Sequence, residues 1–315
     1  MEDDIRNTLR DSRRSTLTAS MVHTPVQRHV PLGLAVRTVI LSVLPVWISL
    51  LTNLLSTTVT IFFLSRADSR SETVAGIGLG ITINNCLLRT FILGYNVGMI
   101  TLVSQAMGRG EKGLVPELLN RALLSGTVAL LGMGALLVFI GFALDWIGID
   151  KGAARTCRIY TQITFFGFLF HSYYDAFRQY LNARGMFAIH FFVPAISLVI
   201  NGVGCYLLIT RAELGIEGAG ISMDVQMFSN FLIIFTITMC YRPSRDSLRR
   251  FSRESFNNFW QIARLGLPSF LMMFLDLSAL EVITFLSNYV SVDHLAANTV
   301  LINLFYVSIV FSYGV

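Results

Sequence analysis

The sequence predicts an all-α fold, a multi-pass bundle of transmembrane helices. Hydrophobic residues make up 54% of the 315-residue chain and charged residues only 14%, compared with about 25% charged residues in typical soluble domains. The mean hydropathy is +0.63. Uncharged or nearly uncharged stretches recur along the chain, and many of them reach the roughly 20 residues that cross a bilayer core.

Residues 1–37 are predicted to form a disordered cytoplasmic arm ahead of the first span. Arg, Ser and Thr are mixed there with Glu2, Asp3, Asp4 and Asp11. No apolar run follows a charged start, so the segment lacks the pattern of a cleavable signal peptide. A segment with so many polar residues cannot bury enough apolar surface to fold by itself.

Eight apolar stretches follow the arm, and we expect each to be a transmembrane helix. They are residues 38–65, 73–107, 122–144, 159–177, 185–210, 218–241, 265–292 and 295–315. When the segments between them are assigned to alternate sides, far more of the 24 Lys and Arg residues fall on the side of the N-terminal arm than on the other side. By the positive-inside rule, this bias predicts a cytoplasmic N-terminus.

The polar segment 242–258, RPSRDSLRRFSRESFNN, divides the spans into two groups. Span one begins LPVWISLLTNLLS and span seven begins LPSFLMMFLDLSA, and each has a polar residue eight positions after the proline, Asn53 and Asp276. Parallel repeats of this kind are typical of transporters. We therefore expect 38–241 to form an N-terminal lobe of six helices, 242–258 a basic cytoplasmic loop, and 259–315 the first two helices of an incomplete second lobe.

Several spans contain short motifs. The most specific is PSFLMMFLDLSALE, from Pro268 in span seven. Weaker ones are TLVSQAMG from Thr101, the Tyr180–Leu181–Gly185 exit of span four, the Gly215–Gly218 start of span six, and the asparagines Asn85, Asn201 and Asn303. These motifs resemble those of the multidrug and toxic compound extrusion (MATE) family in its eukaryotic form, whose span-seven pattern is P-S-x-L-M-x-x-x-E-x-x-x-x-E. Two residues depart from the family pattern: Asp276 replaces a glutamate, and Arg89 replaces a small or apolar residue.

The resemblance covers roughly residues 38–315. It implies a MATE-like fold, truncated at the C-terminus, with one complete six-helix lobe and two helices of the second. The implied function is secondary active antiport, in which organic cations or other small xenobiotics and metabolites leave the cell in exchange for protons. The coupling ion would be a proton or a sodium ion, with no cofactor and no resident metal. The acid in helix one on which the prokaryotic branch often relies is absent, and Asn53 stands in that helix instead.

Two acids in span seven, Asp276 and Glu281, are the candidate coupling and substrate residues. Burial in a membrane disfavours the charged form of a carboxyl group that has no partner. Such a group therefore binds either a proton or a cationic partner and can exchange one for the other. Asp276 lies about 12 Å along the helix from Pro268, near the middle of the span, and Glu281 lies about 8 Å further. Five residues rotate a helix by roughly 140°, so the two acids point in different directions. Which acid faces the cavity and which gates the outer half stays open.

Other polar residues fall inside the predicted spans. Arg89 and Asp175 lie at similar depths on helices two and four, so we expect them to form an ion pair, with Arg178 as a second partner for the acid. Asp224 is expected to be solvated near the outer end of helix six, and His171 and His190 to be packing residues. Asn53, Asn85, Asn201, Asn303 and Gln105 are candidates to line a cavity, although hydrogen bonds between helices would use the same side chains equally well.

The sequence argues against several other classes of protein. No nucleophile–base pair, phosphate-binding loop or Cys/His cluster is present, so an enzyme and a metal site are both disfavoured. Two alternatives stay open: a flippase for lipid-linked precursors from the same superfamily, and an inactive truncated fragment. The expected partners are a small-molecule substrate, an organic cation in the leading interpretation, and the lipid bilayer, with neither nucleic acid nor an obligate protein partner. The membrane would be the plasma membrane or a vacuolar or other endomembrane.

Overall fold

The computed structural model describes residues 32–68, 71–111, 113–147, 151–183, 186, 189–240, 260–290 and 301. In this part the chain forms seven long helices, which confirms the predicted multi-pass helical bundle. They are α1 Leu32–Ala67, α2 Ser71–Asn84 continued by Asn85–Arg89 and Thr90–Gly108, α3 Val115–Ile147, α4 Lys151–Asn182, α5 Ile189–Cys205 continued by Tyr206–Arg211, α6 Gly215–Cys240 and α7 Trp260–Val290. Most of the predicted arm, the loop 242–258 and, apart from Leu301, the eighth span lie outside the described residues.

Two helices differ in extent from the spans that the sequence predicts. α1 begins at Leu32, directly after Pro31 in the sequence and six residues before the apolar span at 38. α2 continues through the whole of the long second stretch, and a π-helical turn at Asn85–Arg89 interrupts it. The predictions miss both features because hydropathy locates the apolar part of a helix and not its hydrogen-bonded length.

Six stretches of the described residues are long and apolar enough to cross a bilayer, and α4 is not among them. The six are Trp47–Ala67, Ala75–Gly108, Val115–Phe139, Phe191–Arg211, Gly215–Cys240 and Trp260–Leu280. α4 has lower mean hydropathy because it carries four basic residues, together with Thr, Tyr, His and Asp residues of which many are buried. It packs against α2, α3 and α6, so its polar side chains face other helices. The central position of α4 explains how a relatively polar helix fits into a membrane bundle.

The packing described below concerns the compact unit that begins at Ser42. Its main hydrophobic core joins Phe91 and Met99 of α2, Leu119 of α3 and Tyr180 of α4, together with residues of α6 and α7. Each of these four side chains is 2% exposed or less. The core therefore links α2 to α6 with the beginning of α7, which carries the predicted coupling acids.

Glycines bring α2 and α7 unusually close together. A Cβ atom added to Gly94 would lie 2.4 Å from Phe270 Cα, and one added to Gly98 would lie 2.7 Å from Gly266 N. Real Cβ atoms essentially never come this close to backbone atoms. Small residues that allow two backbones to meet are the usual basis of tight helix contacts in membranes.

Candidate functional site in the helix bundle

Six uncharged polar side chains form a buried cluster where α1, α5 and α6 meet. This neutral polar cluster consists of Ser56, Thr60, Asn201, Cys205, Ser222 and Gln226. Asn201 lies at its centre and is fully buried: its Nδ2 donates to Gln226 Oε1 at 2.8 Å, and its Oδ1 accepts from Thr60 Oγ1 at 3.3 Å. Ser56 Oγ also donates to Gln226 Oε1, at 2.8 Å. Asn201 therefore serves in hydrogen bonding between helices, one of the two roles considered for it.

A second group of side chains is charged and lies between α1, α2 and α4. This charged cluster consists of Arg89, Asp175 and Arg178, together with the two asparagines that bind them. Arg89 Nη2 donates to Asn53 Oδ1 at 2.9 Å. Asp175 is completely buried; it forms an ion pair with Arg178, three residues later on the same helix, and accepts a 2.7 Å hydrogen bond from Asn96 Nδ2.

The direct ion pair predicted between Arg89 and Asp175 is not formed between these two described side chains. Asp175 is bound instead by Arg178, the alternative partner, and Arg89 reaches Asn53. Arg89 and Asp175 are nevertheless close enough to interact electrostatically. The predicted membrane depth correctly placed Arg89 and Asp175 in the same region of the bundle. The rotation of each helix about its axis determines which side-chain atoms meet, and depth does not give that rotation.

Two crevices adjoin these clusters, and the second of them is mainly polar. One is lined by Thr57, Thr60, Ile81, Asn84, Asn85, Tyr160, Phe168 and Met223. The other is lined by Thr52, Asn53, Tyr174, Pro194, Gln226 and Asn230. The structure thus places two of the candidate asparagines, Asn53 and Asn85, in crevice walls. Gln105 has a different location, because it is exposed near the end of α2 and lines neither crevice.

Asp224 of α6 packs against α4, contrary to the expectation that it is solvated. Its Oδ1 accepts a 3.0 Å hydrogen bond from the backbone N–H of Gly167, and the side chain is half-buried. The contact depends on a glycine: a Cβ at position 167 would lie 2.3 Å from Asp224 Oδ1. His171 is buried between Phe168 and Tyr174, as a packing role requires, but its Nδ1 has no hydrogen-bond partner in the described structure. The side chain of His190 lies outside the described residues.

The acids of α7 lie beyond the helix segment that packs on α2. Phe270 and Phe274 belong to the core contact, whereas Asp276 is exposed and forms neither a hydrogen bond nor an ion pair with the part of the chain that the structure describes. The side chain of Glu281 and the whole of Asn303 lie outside the described residues.

Comparison with known proteins identifies the family to which this arrangement belongs. The MatE family model matches residues 45–207, just over half of the chain. The chain belongs to the MatE family. It is therefore an integral, multi-pass membrane protein, in agreement with the apolar helices.

Relatives of the MatE chain are found in plants and animals. It is 21% identical to Protein DETOXIFICATION 16 of Arabidopsis thaliana over 63% of this chain and 41% of that protein. It is 23% identical to multidrug and toxin extrusion protein 1 of Danio rerio over 86% of this chain and 45% of that protein. The crystal structure of the eukaryotic MATE transporter AtDTX14 has the same fold, with a TM-score of 0.73 and 17% identity over 80% of this chain and 56% of that one. The chain spans less than half the length of these two curated relatives.

Several polar residues of this MatE chain take part in the clusters and crevices without having been predicted from the sequence. Asn96, Gln226 and Asn230 were not candidates, yet Asn96 binds the buried Asp175, and the other two line a crevice. Asn84 was passed over in favour of its neighbour Asn85, although Asn84 is the buried one and donates to Thr164 Oγ1 at 2.8 Å. The sequence does contain a signal for such residues, namely Asn and Gln side chains on the same helix face as other polar residues within the membrane spans.

Proposed function

We propose that this protein is a secondary active antiporter that exports small organic molecules, organic cations among them, in exchange for protons. Asp276 and Glu281 of α7 are its coupling and substrate-binding acids. The proposal rests on the position of Asp276, whose acidic side chain is exposed within the apolar stretch Trp260–Leu280 of a MatE chain. Ionisable residues inside membrane spans are costly and usually functional.

The surroundings of Asp276 support this role. The described residues near it on α7 are apolar and largely exposed, among them Met272, Leu275 and Ala279. No described cation neutralises the carboxylate, so a proton or a cationic ligand is its natural partner. Since one carboxylate does not bind both at once, loading with a proton displaces the cation, and this competition couples the two fluxes.

The test is transport by the full-length protein in liposomes across an imposed pH gradient. Tetraethylammonium is a suitable probe because its permanent charge and lack of acidic protons prevent it from crossing the bilayer as a neutral species. We expect uptake against its own gradient that collapses when the pH gradient is removed. Asp276→Asn combined with Glu281→Gln should lower the coupled uptake by about tenfold or more, the effect of losing a hydrogen-bonded charge partner.

A matched control is Glu111→Gln, which neutralises an exposed acid in the turn that follows α2. That variant should transport as the wild type does. Undiminished coupled uptake by the double α7 variant would overturn the proposed role of the acids.

A further inference from the structure

Arg89 is a cation placed in the middle of a membrane-spanning helix. It lies well inside the apolar stretch Ala75–Gly108 and is the last residue of the π-helical turn Asn85–Arg89. π-Helical turns inside α-helices occur frequently at functional sites, because the extra residue rotates a side chain out of the regular helical register. Thr90 Oγ1 bridges this turn by donating to Asn85 O at 2.8 Å. The turn therefore sets the direction in which the guanidinium points.

The hydrogen bonds of Arg89 leave most of its donors available. A guanidinium has five N–H donors, and in the part of the chain that the structure describes one bond is formed, from Nη2 to Asn53 Oδ1 at 2.9 Å. Asn53 is itself fixed, because its Nδ2 donates to Ser49 O at 2.8 Å. This arrangement holds the guanidinium in one orientation while its other N–H groups stay free to bind a ligand.

The charges around Arg89 do not balance. Asp175 and Arg178 both lie within electrostatic range of Arg89, but Asp175 is already bound by Arg178 and Asn96. Among the described residues the charged cluster thus contains two cations and one anion. A net positive charge inside a membrane bundle is costly unless an anion neutralises it. Asp224 is a separate acid, since it binds the backbone of Gly167 and has no charged partner in this cluster.

Further polar groups accompany the guanidinium. Asn53 and Tyr174, which lie beside Arg89, form part of the wall of the crevice that also contains Thr52 and Asn230. The enclosed part of this crevice has a volume of about 10 Å³, room for about one water molecule, and the crevice is partly open. His171 is also within electrostatic range of Arg89, and its buried Nδ1 has no hydrogen-bond partner in the described structure. A ligand with several acceptor oxygens would satisfy donors that the protein leaves unused.

We propose that Arg89, oriented by Asn53 and the π-helical turn, binds the carboxylate group of a small organic anion or amphoteric substrate in this part of the bundle. The planar guanidinium matches the two oxygens of a carboxylate and binds them in parallel, which a spherical anion does not exploit. This site goes beyond the proposed export of organic cations, and it requires neither the α7 acids nor proton coupling.

Equilibrium binding to the full-length protein in uncharged phospholipid nanodiscs tests the proposal. Benzoate is the probe, benzylammonium is a cation of similar shape, and chloride serves as a competing inorganic anion. We expect wild-type protein to bind benzoate saturably and at least about tenfold more tightly than benzylammonium. Arg89→Gln should raise the Kd for benzoate by about tenfold or more, since it removes a charge-assisted pair. It should leave benzylammonium binding unchanged.

Two further variants separate charge from structure. Arg89→Lys keeps the positive charge but loses the planar guanidinium that donates two parallel hydrogen bonds to a carboxylate. Its benzoate affinity should therefore lie between those of the wild type and Arg89→Gln. Arg66→Gln removes an arginine at the end of α1, where it stacks on Phe62, and should bind benzoate as the wild type does. If Arg89→Gln does not fold, the comparison of benzoate with benzylammonium in the wild type and in Arg89→Lys decides the question.

The proposal is overturned if the wild type binds benzoate no more tightly than benzylammonium, or if Arg89→Gln binds benzoate as well as the wild type does. It is also overturned if millimolar chloride displaces benzoate as effectively as unlabelled benzoate, because the site would then be one for inorganic anions. Proton-driven tetraethylammonium uptake is measured separately in the same variants. A failure of benzoate binding therefore leaves the proposed cation export standing.

Discussion

At the scale of single residues, the described part of the bundle buries many polar side chains, and most of them bind another helix or the backbone of their own helix. Asn201 is the clearest example, because it is fully buried and joins α5 to Gln226 of α6 and Thr60 of α1. Within a bilayer no water replaces a lost partner, so such bonds hold helices together. The neutral polar cluster is thus a structural joint between three helices.

Replacing Asn201 should destabilise this joint. Asn201→Ala removes one hydrogen bond to Gln226 and one to Thr60, and we expect the free energy of unfolding to fall by about 1–3 kcal/mol, the sum for two buried hydrogen bonds at about 0.5–1.5 kcal/mol each. Unfolding by sodium dodecyl sulfate in mixed micelles measures the change. Thr58→Ala is the control, since Thr58 is exposed on the same helix as Thr60 and bonds to Leu54 O. Equal effects of the two substitutions would contradict the assigned role of Asn201.

The comparison of Arg89 with Arg178 shows which residue contacts can be predicted from a sequence. Asp175 and Arg178 are three positions apart, and residues at this spacing meet on any α-helix. The partner of Arg89 was not predictable in this way, because the π-helical turn at Asn85–Arg89 changes the side-chain direction. Depth along the membrane can be estimated from sequence, but rotation about the helix axis cannot once the regular period is broken.

At the scale of helices, close glycine contacts determine which elements pack together. α2 meets α7 through Gly94, Gly98 and Gly266, and α4 meets α6 through Gly167. The sequence offered these glycines only as small residues in apolar stretches. Their partners depend on the three-dimensional arrangement of the bundle, which hydropathy does not contain. Asp224 illustrates this point: it was expected to be solvated, yet Gly167 leaves room for its carboxylate against α4.

A methyl group at Gly94 should separate α2 from α7. The added Cβ would lie 2.4 Å from Phe270 Cα and 2.6 Å from Phe270 N, and backbone atoms cannot rotate away as a side chain can. We expect Gly94→Ala to reduce the free energy of unfolding by about 1–3 kcal/mol or more, as overpacking does. Gly78→Ala is matched to it on the same helix, where an added Cβ meets nothing within 4 Å. That control should be neutral or slightly stabilising, and an unaltered stability of Gly94→Ala would refute the contact.

The contact between Gly167 and Asp224 predicts non-additive substitutions. Gly167→Ala alone should be destabilising, because the new Cβ would lie 2.3 Å from Asp224 Oδ1. Asp224→Ala shortens the opposing side chain, so the double variant should be more stable than the sum of the single effects predicts, by about 0.5–3 kcal/mol. Thermal unfolding in detergent of the wild type, the two single variants and the double variant gives the double-mutant cycle. Strict additivity would show that the two positions do not touch.

At the scale of the whole molecule, the number and order of the first seven helices were predictable because six of them contain a stretch long and apolar enough to cross a bilayer. α4 was also identified from its sequence, although its composition is more polar than that of the other helices, and its burial among α2, α3 and α6 explains the difference. The orientation of the bundle in the membrane stays a prediction from the distribution of Arg and Lys.

Cysteine labelling tests that orientation. Arg109, which follows α2, and Arg211, the last residue of α5, are exposed, and the predicted topology places them on opposite sides of the membrane. In a Cys240→Ser background, which removes the exposed native thiol, a membrane-impermeant maleimide added to intact cells should label Arg211→Cys. It should label Arg109→Cys only after permeabilisation. The reverse pattern would place the N-terminus on the outer side and contradict the positive-inside prediction.

In our proposal, export of a small molecule is coupled to an opposite flow of protons through the acids of α7. The most direct measurement uses liposomes that contain the reconstituted full-length protein and a trapped pH-sensitive dye. A sudden outward gradient of tetraethylammonium should drive protons inward and acidify the interior, and Asp276→Asn combined with Glu281→Gln should abolish this response. Tetraethylammonium movement without a matching pH change in the wild type, or an undiminished pH change in the double variant, would contradict the account.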